Sequence, residues 1–207
     1  MDKAHKAGAK RKKGFTIVFV GPSASGKTEI VKRLVENNKL FQKAVTATTR
    51  KPRPGEKHGV DYLFLSPDQF DEERSKGNII EETEYADARY GTLASELERI
   101  HGAGKVALLI LDMNGVRALK DYYGEENVTS IFVFRHPKQI EEELKKRSVS
   151  KEETDKRIRM AREEIGNIVE CDTVLYNTKK INHVIIDAQE KVMAAYLDWD
   201  LLFNEEK

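Results

Sequence analysis

Cysteine, proline and long apolar runs are all scarce in this chain of 207 residues. Its one cysteine, Cys171, has no partner for an internal disulfide, so we expect a cytoplasmic protein in which this thiol is a small core residue. Five prolines and 13 glycines are too few for a fibrous or low-complexity chain. No stretch approaches the roughly 20 apolar residues of a membrane-spanning helix. The composition therefore predicts a soluble globular protein without membrane spans.

Net charge is also small, at +1, but it is unevenly distributed. Residues 1–14 carry a local balance of +5, which leaves −4 for the rest of the chain. The body of the protein therefore lacks the basic surface that is typical of nucleic-acid binding. We interpret residues 1–14 as a disordered tail because they have little apolar surface to bury. Nucleic acid or an acidic partner stays open for that tail alone.

The hydrophobic pattern predicts strands that alternate with helices. Apolar runs that are typical of strands covered on both faces occur at 15–20, 106–111 and 128–134, with a shorter one at 173–176. Helices are predicted from about residue 26, and over 114–123, 137–147, 152–169 and 181–202. This alternation is typical of an α/β fold with a parallel sheet between helical layers. Prolines and short strand candidates between 46 and 95 predict a small α+β insertion, in which a short helix capped by Ser66 is expected over 67–76.

One segment predicts a phosphate-binding loop, or P-loop. Residues Gly21-Pro22-Ser23-Ala24-Ser25-Gly26-Lys27-Thr28 match G-x-x-x-x-G-K-[ST] between a predicted strand and a predicted helix. The glycines let backbone N–H groups turn toward phosphate oxygens, and the helix adds the positive end of its dipole. Lys27 is expected to reach the β- and γ-phosphates, and the Thr28 hydroxyl to bind Mg²⁺. An ordinary glycine-rich turn is the alternative interpretation. The loop by itself does not define the reaction.

A second basic segment suggests another phosphate site. Arg50 and Arg53 are three residues apart and are stiffened by neighbouring prolines, so their forked guanidinium groups suit one phosphate. Tyr62 and Tyr90 are candidate phenol donors to the same phosphate. A solvated basic turn is the alternative when only spacing is considered.

Together these motifs resemble the guanylate kinase family. The resemblance runs from about Phe15 to Gly115 and, more loosely, to the C-terminus. It rests on the P-loop and on four further motifs: Thr48-Thr49-Arg50-Lys51-Pro52-Arg53-Pro54-Gly55-Glu56, Gly59-Val60-Asp61-Tyr62, Tyr90-Gly91-Thr92 and Asp112-Met113-Asn114-Gly115. It implies a P-loop three-layer sandwich with an inserted nucleotide-monophosphate-binding subdomain and a short helical lid. The implied division is a tail at 1–14, core at 15–45, 96–143 and 166–207, the insertion at 46–95 and the lid at 144–165.

The resemblance also implies the roles of individual residues. Those expected to bind GMP are Thr46, Arg50, Arg53, Tyr62, Glu81, Tyr90, Thr92 and Asp112. Those expected to bind ATP are Gly21, Ser23, Ala24, Ser25, Gly26, Lys27, Thr28 and Asn177. The expected catalytic residues are Lys27, Arg50 and the lid arginines Arg147 and Arg157; solvated helix charges are the alternative for the last two. Carboxylates at Glu81 and Asp112 suit guanine, because N1–H and the N2 amino group are donors and a carboxylate only accepts.

Three positions depart from the family pattern. Ile110 occupies a site that usually carries an acidic residue, two positions before Asp112. The lid is short and lacks a Gly-Arg-Gly type of segment after Arg147, and Ala24 stands where the P-loop often has glycine. We expect these departures to affect the metal environment and the rate more than what is bound.

The predicted reaction is phosphoryl transfer from ATP to GMP, with Mg²⁺ accompanying ATP. We predict no other metal site, because the five histidines have no ligand-like neighbours. The sequence does not choose between GMP and dGMP and does not define an oligomeric state. Two alternatives stay open: a kinase for another small phosphorylated acceptor, and a non-catalytic interaction module of the same fold.

Overall fold

The computed structural model describes residues 14–85, 87–147, 150–178 and 180–203. All of the predicted tail except Gly14 lies outside these ranges, as do residues 148 and 149 of the predicted lid. In chain order the strands are β1 (Thr16–Val20), β2 (Phe41–Lys43), β3 (Ala47–Thr48), β4 (Leu63–Phe64), β5 (Ile79–Tyr85), β6 (Ala88–Leu93), β7 (Val106–Ile110), β8 (Val128–Phe134) and β9 (Thr173–Tyr176). The helices are α1 (Lys27–Asn37), α2 (Pro67–Ser75), α3 (Ala94–Gly102), α4 (Met113–Tyr123), α5 (Pro137–Arg147), α6 (Lys151–Glu164) and α7 (Ile181–Phe203).

The central sheet is parallel, with strand order β2-β7-β1-β8-β9. Successive residues of β1 point to opposite faces, so Ile17 and Phe19 pack with α1 and α7 while Val18 and Val20 pack with α3 and α4. Each of these fully buried side chains contributes roughly 1.5–3 kcal/mol to folding. The predicted α/β fold, with a parallel sheet between two helical layers, is confirmed.

A second, smaller sheet has the order β4-β3-β6-β5 and covers α2. Its strands are mixed, since β3 pairs parallel to β4 and antiparallel to β6. Phe70 from α2 fills its core together with Ala47 and Leu93. A Cβ at Gly91 would lie 2.9 Å from the Glu81 carbonyl of the paired strand β5, so this crowded position of β6 requires glycine. The predicted start of α2 is confirmed, because Ser66 and Gln69 form a reciprocal capping box.

Several elements differ from the pattern-based prediction. The strands β2 and β6 and the helix α3 were not predicted. Strand β2 has only three residues, and β6 has the mixed sequence ARYGTL, so neither shows a clear period. The single helix predicted over 152–169 is wrong at its C-terminal end. Helix α6 ends at Glu164, and a 3₁₀ segment over Ile165–Glu170 follows it.

Helices α5 and α6 pack against each other beside the P-loop, and we call them the lid pair. Their shared apolar cluster joins Ile140, Leu144 and Ala161 to Ala24 of that loop.

The described residues contain no helix that is both long enough and apolar enough to cross a membrane. The side chain of Arg147, at the end of α5, lies outside the described part of the structure.

Candidate active site

A cleft of about 490 Å³ opens where the carboxyl ends of β1 and β7 face the second sheet. Ligands of parallel α/β sheets commonly bind at this edge. The predicted site residues that line the cleft are Gly21, Ser23, Lys27, Thr46, Tyr62, Glu81, Tyr90 and Asp112. The fold thus brings residues from three separate stretches of the chain to one cleft.

The P-loop has the backbone that its glycines predict. Gly21 and Gly26 have φ values of 131° and 101°, and a Cβ on Gly21 would lie 2.8 Å from the Val133 carbonyl of β8. Ala24 also has a positive φ, 65°, which is strained for a residue with a side chain. Lys27 donates from Nζ to the carbonyls of Gly21 and Pro22, the latter at 2.9 Å. Burial lowers the pKa of Lys27 to about 8, and the charge of Glu164 opposes that shift.

Two side chains from neighbouring strand ends hold the P-loop. Asn177 follows β9 and donates from Nδ2 to the Ser25 carbonyl at 2.7 Å. Arg135 follows β8 and donates from Nη1 to the Ala24 carbonyl at 2.8 Å. Sequence reasoning placed Asn177 near the donor nucleotide but missed Arg135, whose only signal is its position at the end of a strand beside β1.

The P-loop retains unmet hydrogen-bonding capacity. Among the described residues, the buried Ser25 hydroxyl has no hydrogen-bond partner, and no side chain caps the N-terminus of α1. A free helix N-terminus beside inward-turned backbone suits an anion such as a triphosphate. Thr28 lies in the first turn of α1 with its side chain exposed. Thr28 is not among the residues that line the cleft, so its role toward Mg²⁺ stays a prediction. Within the described ranges, no three His, Cys, Asp or Glu side chains are grouped to hold a metal by themselves.

Arg50 is prepared for an anion by a carboxylate that sequence reasoning did not single out. Its Nη1 and Nη2 atoms each donate to Glu56 at 2.9 Å, while its buried Nε meets no acceptor in the part of the chain that the structure describes. The guanidinium lies 5.4 Å from the Tyr62 ring, and the Tyr62 and Tyr90 rings are 5.9 Å apart. The group is thus oriented beside two tyrosines of the cleft. The Arg53 side chain is exposed, and its backbone joins the group: the N–H donates to a Glu56 carboxylate oxygen at 2.7 Å and the carbonyl accepts from the Glu56 N–H at 3.0 Å.

Two carboxylates lie at the part of the cleft nearest the second sheet. Glu81 accepts from the Thr92 hydroxyl at 2.7 Å through Oε1, and Asp112 accepts from the Gly115 N–H at 2.9 Å through Oδ1. The second bond caps α4, so Asp112 has a structural role as well. Burial raises the pKa of Glu81, and the nearby charge of Asp112 adds to that shift. Among the described residues, side-chain hydrogen bonding reaches one oxygen of each carboxylate.

Some residues of the cleft were not predicted, and one predicted residue lies outside its wall. Thr83, Glu164 and Asn167 line the cleft, although no motif in the sequence marked any of them as a site residue. Ile110 also lines it, so the departure from the family pattern leaves an aliphatic surface inside the cleft. Arg157 lies in α6 and is not part of the cleft wall as the structure describes it.

Comparisons with known proteins point to one family. A family model described as guanylate kinase matches residues 13–195. The guanylate kinase of Clostridioides difficile is 35% identical over 192 residues, which are 87% of this chain and 91% of that protein. That of Malacoplasma penetrans is 33% identical and covers 86% and 95%. A crystal structure of guanylate kinase from Anaplasma phagocytophilum superimposes with a TM-score of 0.65 at 29% identity, covering 87% of this chain and 85% of the other.

Proposed function

The chain belongs to the guanylate kinase family, and from that premise we propose how its own residues transfer the γ-phosphoryl group of ATP to GMP to give ADP and GDP. The observation that carries the proposal is one cleft lined by P-loop residues and two carboxylates, with Arg50 lying against Tyr62 of its wall. A donor triphosphate and a purine monophosphate need these groups in one place.

Guanine recognition is proposed for Glu81 and Asp112. Guanine presents the N1–H and N2 amino donors on one edge, and each carboxylate has an oxygen to which no hydrogen bond from the described residues is recorded. Adenine lacks this pair of donors and would leave a buried carboxylate without a partner, at a cost of roughly 1–3 kcal/mol. We propose that Thr46 and Thr92 complete the base pocket, Thr92 by holding Glu81.

The acceptor phosphate is proposed to bind at Arg50, Tyr62 and Tyr90. The unpartnered Nε of Arg50 provides a donor without requiring that its pair with Glu56 be broken. We keep Arg53 as a phosphate ligand on the basis of the family motif, and its exposed side chain would have to turn inward. An oxygen of the anionic GMP phosphate then forms a bond to the γ-phosphorus as the bond to the β–γ bridging oxygen breaks, so no general base is needed.

Charge stabilisation in this step is proposed for the P-loop. Its residues from Gly21 to Thr28 would surround the phosphates of ATP, and Lys27 would leave its backbone carbonyls for the β- and γ-oxygens. When bound with ATP, Mg²⁺ neutralises charge on the same oxygens. The Thr28 hydroxyl would hold it. Arg147 and Arg157 are proposed to approach the transferring phosphate when the lid pair closes over the cleft and excludes water.

The division of the chain is proposed on the same grounds. Residues 46–95 contain the second sheet and would act as the acceptor-binding insertion, and 144–165 would act as the lid. The single cysteine of the chain supports a cytoplasmic location. Whether the tail at 1–14 binds nucleic acid is tested by retention on immobilised nucleic acid before and after its deletion.

The activity is tested with a coupled ADP-release assay on GMP, dGMP, AMP, CMP and UMP. We expect turnover with the guanine nucleotides only, and Glu81→Gln should weaken that preference. Equal rates with AMP would exclude guanine recognition and favour a kinase for another acceptor. Lys27→Ala should lower kcat about 10²–10³-fold. The control is Lys32→Ala, an exposed lysine of the same helix. Wild-type protein that folds but shows no turnover would favour the interaction module instead.

A further inference from the structure

Glu164 is a third carboxylate in the cleft, and the proposed function gives it no task. Glu81 and Asp112 each accept a hydrogen bond from the protein, at Thr92 and Gly115. Glu164 lines the same cleft, but the structure gives it no hydrogen bond or ion pair with any described residue. A half-buried carboxylate without a donor needs another partner, because burial of an unpaired charge is unfavourable.

The C-terminal end of helix α6 carries Glu164 at the cleft. Glu164 is the last residue of α6, and the chain then changes to the 3₁₀ segment Ile165–Glu170. One turn earlier, Ala161 packs against Ala24 of the P-loop. The end of α6 is therefore anchored to the P-loop itself. The sequence predicts one helix to residue 169, whereas the structure ends α6 at Glu164.

Opposite charges flank Glu164. Burial raises the pKa of Glu164, the Lys27 ammonium lowers it and the Asp112 carboxylate raises it again. Glu164 is therefore within electrostatic reach of both the P-loop lysine and a base-binding carboxylate. An ionised carboxylate next to bound phosphates would oppose their binding unless a cation lies between them.

The neighbouring wall of the cleft carries no carboxylate at position 110. Ile110 ends β7 and lines the cleft with an aliphatic side chain. In phosphoryl-transfer sites Mg²⁺ is usually held by one or two carboxylates together with substrate oxygens and waters. We propose that Glu164 is the carboxylate that holds the metal ion accompanying ATP, directly or through a metal-bound water, in a cleft where Ile110 contributes no charge. This assignment rests on the proposed function.

Metal binding to the enzyme–ADP complex tests the assignment without turnover. Mn²⁺ is titrated into protein saturated with ADP, and free Mn²⁺ is measured by electron paramagnetic resonance. Glu164→Gln keeps the shape of the side chain and removes its charge. We expect it to raise the dissociation constant of Mn²⁺ about tenfold, while ADP binding without metal is unchanged or tighter. Glu163→Gln is the matched control, since Glu163 is the adjacent, exposed residue of α6, and it should bind Mn²⁺ like the wild type.

Two results would overturn the assignment. One is an unchanged Mn²⁺ dissociation constant in Glu164→Gln. The other is an equal loss of ADP affinity in the absence of metal, because that would mean that Glu164 acts through Lys27 or through packing. If Glu164→Gln does not fold, Glu164→Asp keeps the charge but withdraws it by one methylene, so weaker Mn²⁺ binding supports the assignment and unchanged binding refutes it. The acceptor panel tests the proposed function separately, since it does not depend on the metal titration.

Discussion

Histidine 101 should make the stability of this protein depend on pH below neutrality. Its Nε2 lies 3.1 Å from the Thr16 hydroxyl, and its ring meets the Tyr123 ring edge-on at 5.5 Å. A Cβ on Gly14 would collide with the same ring, so the imidazole is enclosed on that side too. Burial lowers the pKa of His101 to about 4, partly opposed by a hydrogen bond with the Phe15 backbone. The folded protein therefore holds this ring neutral.

The magnitude follows from the difference between the two states. The pKa of His101 is about 4 in the folded protein and 6.5 without perturbation, so the unfolded chain binds more protons at intermediate pH. The stabilising contribution is therefore complete above pH 6.5 and is lost as the pH falls from 6.5 to 4. One pKa unit corresponds to 1.36 kcal/mol, which gives a loss of about 2 kcal/mol between pH 7 and pH 5.

Urea unfolding from pH 7 to pH 4.5 measures this loss. The other titrating groups contribute as well, so the informative quantity is the difference between wild type and His101→Gln. The glutamine amide can still meet Thr16 but cannot take up the proton. We expect the variant to be less stable at pH 7 and the gap to close by about 2 kcal/mol at pH 5. His183→Gln replaces an exposed histidine and should follow the wild-type curve. Free energies of wild type and His101→Gln that fall in parallel would refute the reasoning.

Two further predictions concern the nucleotide sites. Glu56→Gln should raise the KM for GMP on the order of tenfold and leave the KM for ATP unchanged, because Arg50 loses a charged partner that orients it; a lower KM for GMP would mean that Glu56 competes with the phosphate. Arg135→Ala should raise the KM for ATP about three- to tenfold, because it releases the Ala24 carbonyl of the P-loop. Steady-state kinetics with both substrates varied measures both effects. Arg33→Ala, a surface change in α1, is the control, and equal increases in both KM values for Arg135→Ala would contradict a specific effect on the donor site.

Local sequence was a good guide to the regular core. The strands β1 and β8 and the helix α5 lie at or within one residue of their predicted positions, because a continuous apolar run or a helical period is a property of neighbouring residues. The capping of α2 by Ser66 was predicted for the same reason. The edge strand β2 was not predicted, because three residues show no period and its pairing with β7 depends on a segment more than 60 positions away.

The site shows the same division at the level of single side chains. The P-loop was predicted in full, since its chemistry depends on eight consecutive residues. Glu56 and Arg135 were missed, because the one matters through its bidentate contact with Arg50 and the other through a contact 111 positions away in sequence. Without the family motif, Glu81 would have been one of several acidic residues in its segment.

By itself the sequence determined the fold class, the phosphate loop and the family, because each rests on residue types at short, regular spacing. Only the tertiary structure decided which charges share the cleft. Helix α6 was predicted to continue to residue 169, yet it ends at Glu164, whose side chain lines the same cleft as Lys27, 137 positions away in sequence. Charge acts through space, so the electrostatics of the cleft depended on how the lid pair packs and not on the order of residues along the chain.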